Sequence, residues 1–103
     1  MKRQRIAPDE RVEVTMSVRD RELLFEHTFA DREYSRCLSA VPGTTKLVGR
    51  YTLDDLEDIL GFIAAEANHT EDPALEEELH ALYERLAAIQ ESYDDGSWQD
   101  SAV

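Results

Sequence analysis

From residue 72 the chain reads DPALEEELHALYERLAAIQESY, with Leu75, Leu79, Leu82, Leu86, Ile89 and Tyr93 spaced in alternating steps of four and three. That spacing lines one side of an α-helix with apolar groups and leaves the other sides to Glu, His, Arg and Gln. Asp72 followed by Pro73 starts it, as a cap and a first-turn residue whose missing N–H costs nothing. The preceding segment repeats the pattern: Leu53, Leu56, Leu60, Ile63 and Ala67 form a second seam, which Ile59 and Phe62 widen, so this helix needs neighbours on two sides. Thr52 caps it with Asp55 three residues on, and Asp54, Asp55, Glu57 and Asp58 crowd its first turns, where the helix dipole favours anions. The linker from His69 to Asp72 is so short that the two helices must return on each other as an antiparallel hairpin.

The first half reads differently. VEVTMSV at 12–18 alternates apolar and polar residues, the signature of a half-buried strand. The RDRE that follows lacks the Gly, Asn or Pro of a tight hairpin; Ser17 with Asp20 instead has the form of a capping box. A short helix through Leu23, Leu24 and His27 is predicted next, then another from Asp31 to Ala40. VPGTT at 41–45 is a turn and KLVGRY a second strand. At an offset of thirty-five residues SVRDRELLF matches TLDDLEDIL in its cap, acids and apolar positions, each after a strand. The expected class is α+β: a two-stranded sheet packed against short helices and a C-terminal antiparallel helical hairpin, in the order β-α-α-β-α-α. Two strands alone are marginal, so the sheet must lean on the helices. Residues 1–10 are expected to be a flexible basic arm, 11–93 the single domain and 94–103 a flexible acidic tail.

Charge divides the chain more sharply than composition does. Residues 1–51 carry ten Lys or Arg against eight Asp or Glu, and residues 52–103 carry one against fifteen, so −14 of the net −12 belongs to the second half and the first holds +2. Such a surface repels phosphates, which excludes direct nucleic acid binding by that half. It attracts a basic protein, a divalent cation, or the arm of a second copy, with Lys2, Arg3 and Arg5. No run is apolar enough for a membrane span, and MKRQRIAPDE lacks the apolar core of a secretory signal. With the single Cys37 unable to form an internal bridge, the reading is cytoplasmic.

LGFIAAEANHTEDPALEEELHALYERL, with EHTFAD at 26–31, resembles a small bacterial module of unknown function, which occurs alone and appended to some plasmid-type or mobile-element proteins. The resemblance spans about residues 12–92, transfers no catalytic residue, and implies that AAEANHT and EHTFAD belong to one structural unit.

Candidate chemistry concentrates there. Glu66 and His69 have Glu-x-x-His spacing, repeated by Glu77 and His80, which sets a carboxylate and an imidazole on adjacent turns. The two histidines lie about 10 Å apart along the hairpin axis, too far to share one metal. If EHTFAD packs beside AAEANHT, His27, Thr28, Glu66, Asn68 and His69 converge on a polar pocket, with Glu66 and His69 as metal candidates and acid–base chemistry as its use. The competing reading makes the knot a joint, with His69 and Asn68 ending a helix, Asn68 in the left-handed conformation. Cys37 beside a histidine would be a nucleophile, but no local signature supports it, and a buried thiol is commonly a small hydrophobe. No cofactor loop or catalytic triad is present, and no cofactor is expected. The sequence therefore points to a non-catalytic interaction or regulatory module, with Glu76, Glu77, Glu84 and Trp98 as partner-binding residues. The alternative is a small metal-binding protein or enzyme using His27, Glu66 and His69.

Overall fold

The structure, a computed structural model, describes residues 4–28, 30 and 32–94. Along the chain run β1 (Gln4–Arg5), β2 (Val12–Ser17), α1 (Val18–Glu26), a 3₁₀ helix (Arg32–Cys37), β3 (Ser39–Ala40), β4 (Lys46–Tyr51), α2 (Leu53–His69), α3 (Pro73–Glu91) and β5 (Tyr93–Asp94). The class is α+β, as expected.

The capping signals act as their residue types require. Ser17 Oγ accepts from Asp20 N at 3.0 Å while Ser17 N donates to Asp20 Oδ2 at 3.1 Å, and Thr52 and Asp55 repeat the same reciprocal pair at 3.0 and 3.1 Å. Asp72 Oδ1 accepts from Ala74 N at 3.0 Å ahead of α3. Thus the two matched segments share one local syntax: a strand, a hydroxyl cap, and a helix.

The sheet departs from expectation. It has three strands in the order β2-β4-β3, all antiparallel, with Val12 opposite Tyr51, Ser17 opposite Lys46, and Ser39 opposite Val48. The third strand takes residues that were expected to be helical. Between Asp31 and Ala40 the chain winds only from Arg32 to Cys37, as a 3₁₀ helix, and then extends. Ser35 and Cys37 are weak helix formers, and Leu38 to Ala40 gain more from pairing with β4 than from continuing a helix. Val41 N then bonds to Lys46 O at 3.0 Å, and the turn between them places Gly43 at φ 78, as the Pro-Gly pair requires. A second, two-residue pairing joins the ends: β1 lies parallel to β5, with Gln4 N bonded to Ser92 O at 2.9 Å. α3 has ended at Glu91 by then, so Tyr93, the last member of its predicted seam, sits half-buried in β5.

One core unites these layers. Val12, Val14 and Met16 from β2, Leu23 and Leu24 from α1, and the seams of α2 and α3 are all buried together. Glu57 of α2 accepts from Gln90 of α3 at 2.6 Å, whereas Ala67 shares a cleft with His80, so the hairpin is antiparallel. Leu53, Leu56, Leu60, Ile63 and Ala67 are buried as the spacing predicts, as are Leu79, Leu82 and Leu86; Leu75 and Ile89 are half-buried at the seam's margin. No helix among the described residues is long and apolar enough to cross a membrane.

Where the sheet meets the 3₁₀ helix, space is tightest. Tyr51 is fully buried, stacks edge-on against Tyr34 at 6.0 Å and donates its hydroxyl to the Tyr34 carbonyl at 2.5 Å. Burial pushes that hydroxyl's pKa upward, with smaller contributions from Cys37 and Asp55. A Cβ on Gly49 would lie 2.8 Å from the Tyr51 ring, 2.9 Å from a Leu38 methyl and 3.2 Å from the Cys37 carbonyl. Gly49→Ala should therefore destabilise the fold by about 1 to 2 kcal/mol, the cost of overpacking a filled site. Urea denaturation followed by circular dichroism measures this, and an unchanged midpoint would contradict the packing described.

Candidate functional site

At 3.6 residues per turn, α3 has two flanks beside its buried seam. One carries Glu78 and Arg85 toward α1, and both are engaged there. Arg85 grips Asp20 through two bonds, Nη1–Oδ2 at 2.8 Å and Nη2–Oδ1 at 2.7 Å. Arg19 grips Glu78 with bonds of 2.9 and 2.8 Å and also bonds to Glu22. The two pairs cross in opposite senses and fix α1 on α3. Asp20 is 4% exposed. Burial alone would raise its pKa, but the Arg85 guanidinium and the Ser17 cap more than offset this and leave the carboxyl below its ordinary range. The Glu78 and Asp20 bonds in turn raise Arg19 and Arg85 respectively, and Arg19 lowers Glu78.

Arg85 is the only Lys or Arg in residues 52–103. Spending it on Asp20 leaves the opposite flank of α3 without a countercharge. That flank presents Glu76, His80, Tyr83, Glu84 and Glu91, all exposed. Glu76 Oε2 stands 3.8 Å from His80 Nε2, and among the described residues no ion pair engages Glu77 or Glu84. Beside the flank, between α2 and α3, lies a cleft of about 130 Å³ lined by Ile63, Ala64, Ala67, Asn68, His80 and Tyr83. The small side chains of Ala64 and Ala67 leave this space open, and with Ile63 they make much of its lining apolar. Tyr83 is 38% exposed, one of the two large apolar side chains most open to water.

The polar-pocket candidates are distributed otherwise. Asn68 lines this cleft between α2 and α3; Glu66, half-buried, and His69, exposed at the end of α2, do not line it. Asn68 is right-handed helical, and no described non-glycine residue has positive φ, so the expected left-handed helix end is corrected: α2 runs one residue past Asn68 and stops at an extended Thr70, whose N–H bonds to Glu66 O at 2.9 Å. Thr28 turns back on its own helix, donating to Leu24 O and accepting from Ala30 N. His27 is exposed at the end of α1, and its field acts on Glu78 of α3. Among the described residues no group of three or more His, Cys, Asp and Glu is placed to hold a metal ion. Cys37 lines a separate groove with Glu13 and Arg50, and its Sγ is 3.9 Å from Arg11 Nη1. Trp98 lies outside the described residues.

Two features escaped the sequence reading, the Asp20–Arg85 pair and the cleft. The first had a signal, a lone arginine in an acidic half. The second had a fainter one, alanines at 64 and 67 where a helix flank could carry larger groups. Comparison with protein-family models, with curated proteins and with solved structures finds no match.

Proposed function

We propose that this protein is a small non-catalytic interaction module whose acidic α2–α3 hairpin docks a basic protein. The observation that supports this is the use of Arg85. A half-chain that needed only a solvated acidic surface could leave its single Lys or Arg anywhere, but here Arg85 pairs with the buried Asp20 of α1. The outward side of α3 keeps Glu76, Glu77, Glu84 and Glu91 exposed to solvent, with the mostly apolar cleft beside Glu76 and His80. Such a field speeds encounter with a cationic partner and excludes anionic ones. The same charge argues against direct nucleic acid binding by this half.

The test is charge reversal with a charge-matched control. Glu76, Glu77 and Glu84 are all changed to Lys in one variant, and Asp9, Glu13 and Glu26, exposed on the other half, in a second. Proteins captured from cell extract by each immobilised chain are quantified by mass spectrometry. The hairpin variant should lose at least about tenfold of the wild-type partners at 0.15 M salt, where residues facing across an interface still feel each other. The control variant should retain them. Equal capture by wild type and hairpin variant would refute the electrostatic docking.

A further inference from the structure

The cleft between α2 and α3 indicates what such a partner would insert. Its lining is mostly apolar, from Ile63, Ala64, Ala67 and Tyr83, with Asn68 and His80 as the polar residues beside the Tyr83 hydroxyl. At about 130 Å³ it is slightly smaller than the roughly 150 Å³ cavity that admits one benzene ring, room for one side chain within a cleft that opens to solvent. Glu76 stands 3.8 Å from His80 of the cleft lining, and Glu84, one turn beyond His80 on the same helix, is exposed. An aliphatic stem therefore fits the floor, a flat cation fits over the half-exposed Tyr83 ring, and carboxylates receive its outward N–H groups. Leucine would fill the floor and waste the rim. Lysine would reach the rim, but its strongly hydrated ammonium stacks less well on a phenol ring than a guanidinium does.

We propose that this cleft is an arginine receptor: the basic segment of the partner anchors itself by one arginine laid along Ile63, Ala64 and Ala67, its guanidinium stacked on Tyr83 and bonded to Glu76 or Glu84. The inference rests on the docking role proposed above and adds to it a point of specificity that charge alone does not provide. Long-range attraction treats arginine and lysine alike, whereas the cleft distinguishes them.

The experiment uses the full chain labelled with nitrogen-15 and two nine-residue synthetic probes of equal charge, each alternating Lys and Ala, one with a single central Arg in place of Lys. Amide shifts are followed on titration. The Arg probe should bind about threefold to fivefold more tightly than the all-Lys probe, the scale of a partly exposed cation–π contact, with its largest shifts at residues 63–68 and 80–84. Ala64→Phe, which fills the cleft without changing charge, and Tyr83→Ala, which removes the ring at an exposed position, should each reduce the Arg probe to the affinity of the all-Lys probe. Far-ultraviolet circular dichroism verifies that both variants fold, and Tyr83→Ala alone decides the matter if Ala64→Phe does not. Equal affinity for the two probes, or shifts centred elsewhere, would overturn the arginine receptor while leaving electrostatic docking intact. Absence of binding by both probes would overturn the docking role and this inference with it.

Discussion

Leu82→Ala should lower the stability of the folded chain by about 3 kcal/mol, the middle of the range for emptying a leucine site in a close-packed core. Leu82 is 1% exposed and lies between Leu79 and Leu86 on the seam that α3 presses against α2. A domain of this size has a total stability of about 5 to 15 kcal/mol, so the loss removes a large share of it. The melting temperature should fall by more than about 10 °C. Urea unfolding should show a lower midpoint with an unchanged slope, because the same surface is exposed on unfolding. The adjacent residue is the control. Tyr83 is 38% exposed on the flank, and Tyr83→Ala should cost less than about 1 kcal/mol. If the two substitutions cost the same, α3 does not dock by the face described.

That contrast between neighbours was readable before any coordinates. Steps of three and four identify Leu79, Leu82 and Leu86 as inward, and hydroxyl-plus-acid pairs at Ser17–Asp20 and Thr52–Asp55 mark where helices begin. Both signals are local, since each needs only residues within a turn or two to express its preference. Longer-range features left less trace. β3 has two residues, too few to alternate, and it exists because Ser39 and Ala40 meet Val48 and Leu47 across a turn that the sequence did declare. The pocket proposed from His27, Thr28, Glu66, Asn68 and His69 required knowledge of which flank of α2 each residue occupies relative to α1. Glu-x-x-His spacing puts Glu66 and His69 together but does not say on which side. Similarly, Asp20 was legible as a cap acid, yet its ion pair with a residue sixty-five positions later was not. This cap acid is buried and meets α3 through the Arg85 guanidinium.

Arg85→Met should show what that pair contributes, and its pH dependence should identify the group responsible. Removing one partner of a buried ion pair leaves a desolvated charge, which commonly costs about 3 to 5 kcal/mol. The Arg85 side chain is 56% exposed, so water reaches part of the vacated site and the expected cost at pH 7 is nearer about 2 to 3 kcal/mol. In the wild type the Asp20 carboxyl sits below its ordinary range despite burial, because Arg85 and the Ser17 cap favour its charged form. A carboxyl lowered by folding contributes stability that is fully present above its unfolded value, about 3.9, and is lost as pH falls through the folded value. Without Arg85, burial dominates and the same carboxyl is raised, so its charged form then opposes folding. The difference between wild type and Arg85→Met should be full at neutral pH, should narrow as pH falls through the variant's raised Asp20 value, and should close only below the wild type's lowered one, where Asp20 is neutral in both. Unfolding midpoints at pH 7 and at about pH 2, below the folded carboxyl, measure it. A gap of equal size at both would assign the loss to the packing of the Arg85 stem rather than to charge. The double variant Asp20→Asn with Arg85→Met separates the two further: asparagine keeps an acceptor for the Ser17 N–H but carries no charge. It should be at least as stable at pH 7 as Arg85→Met alone, since removing both ions removes the stranded one.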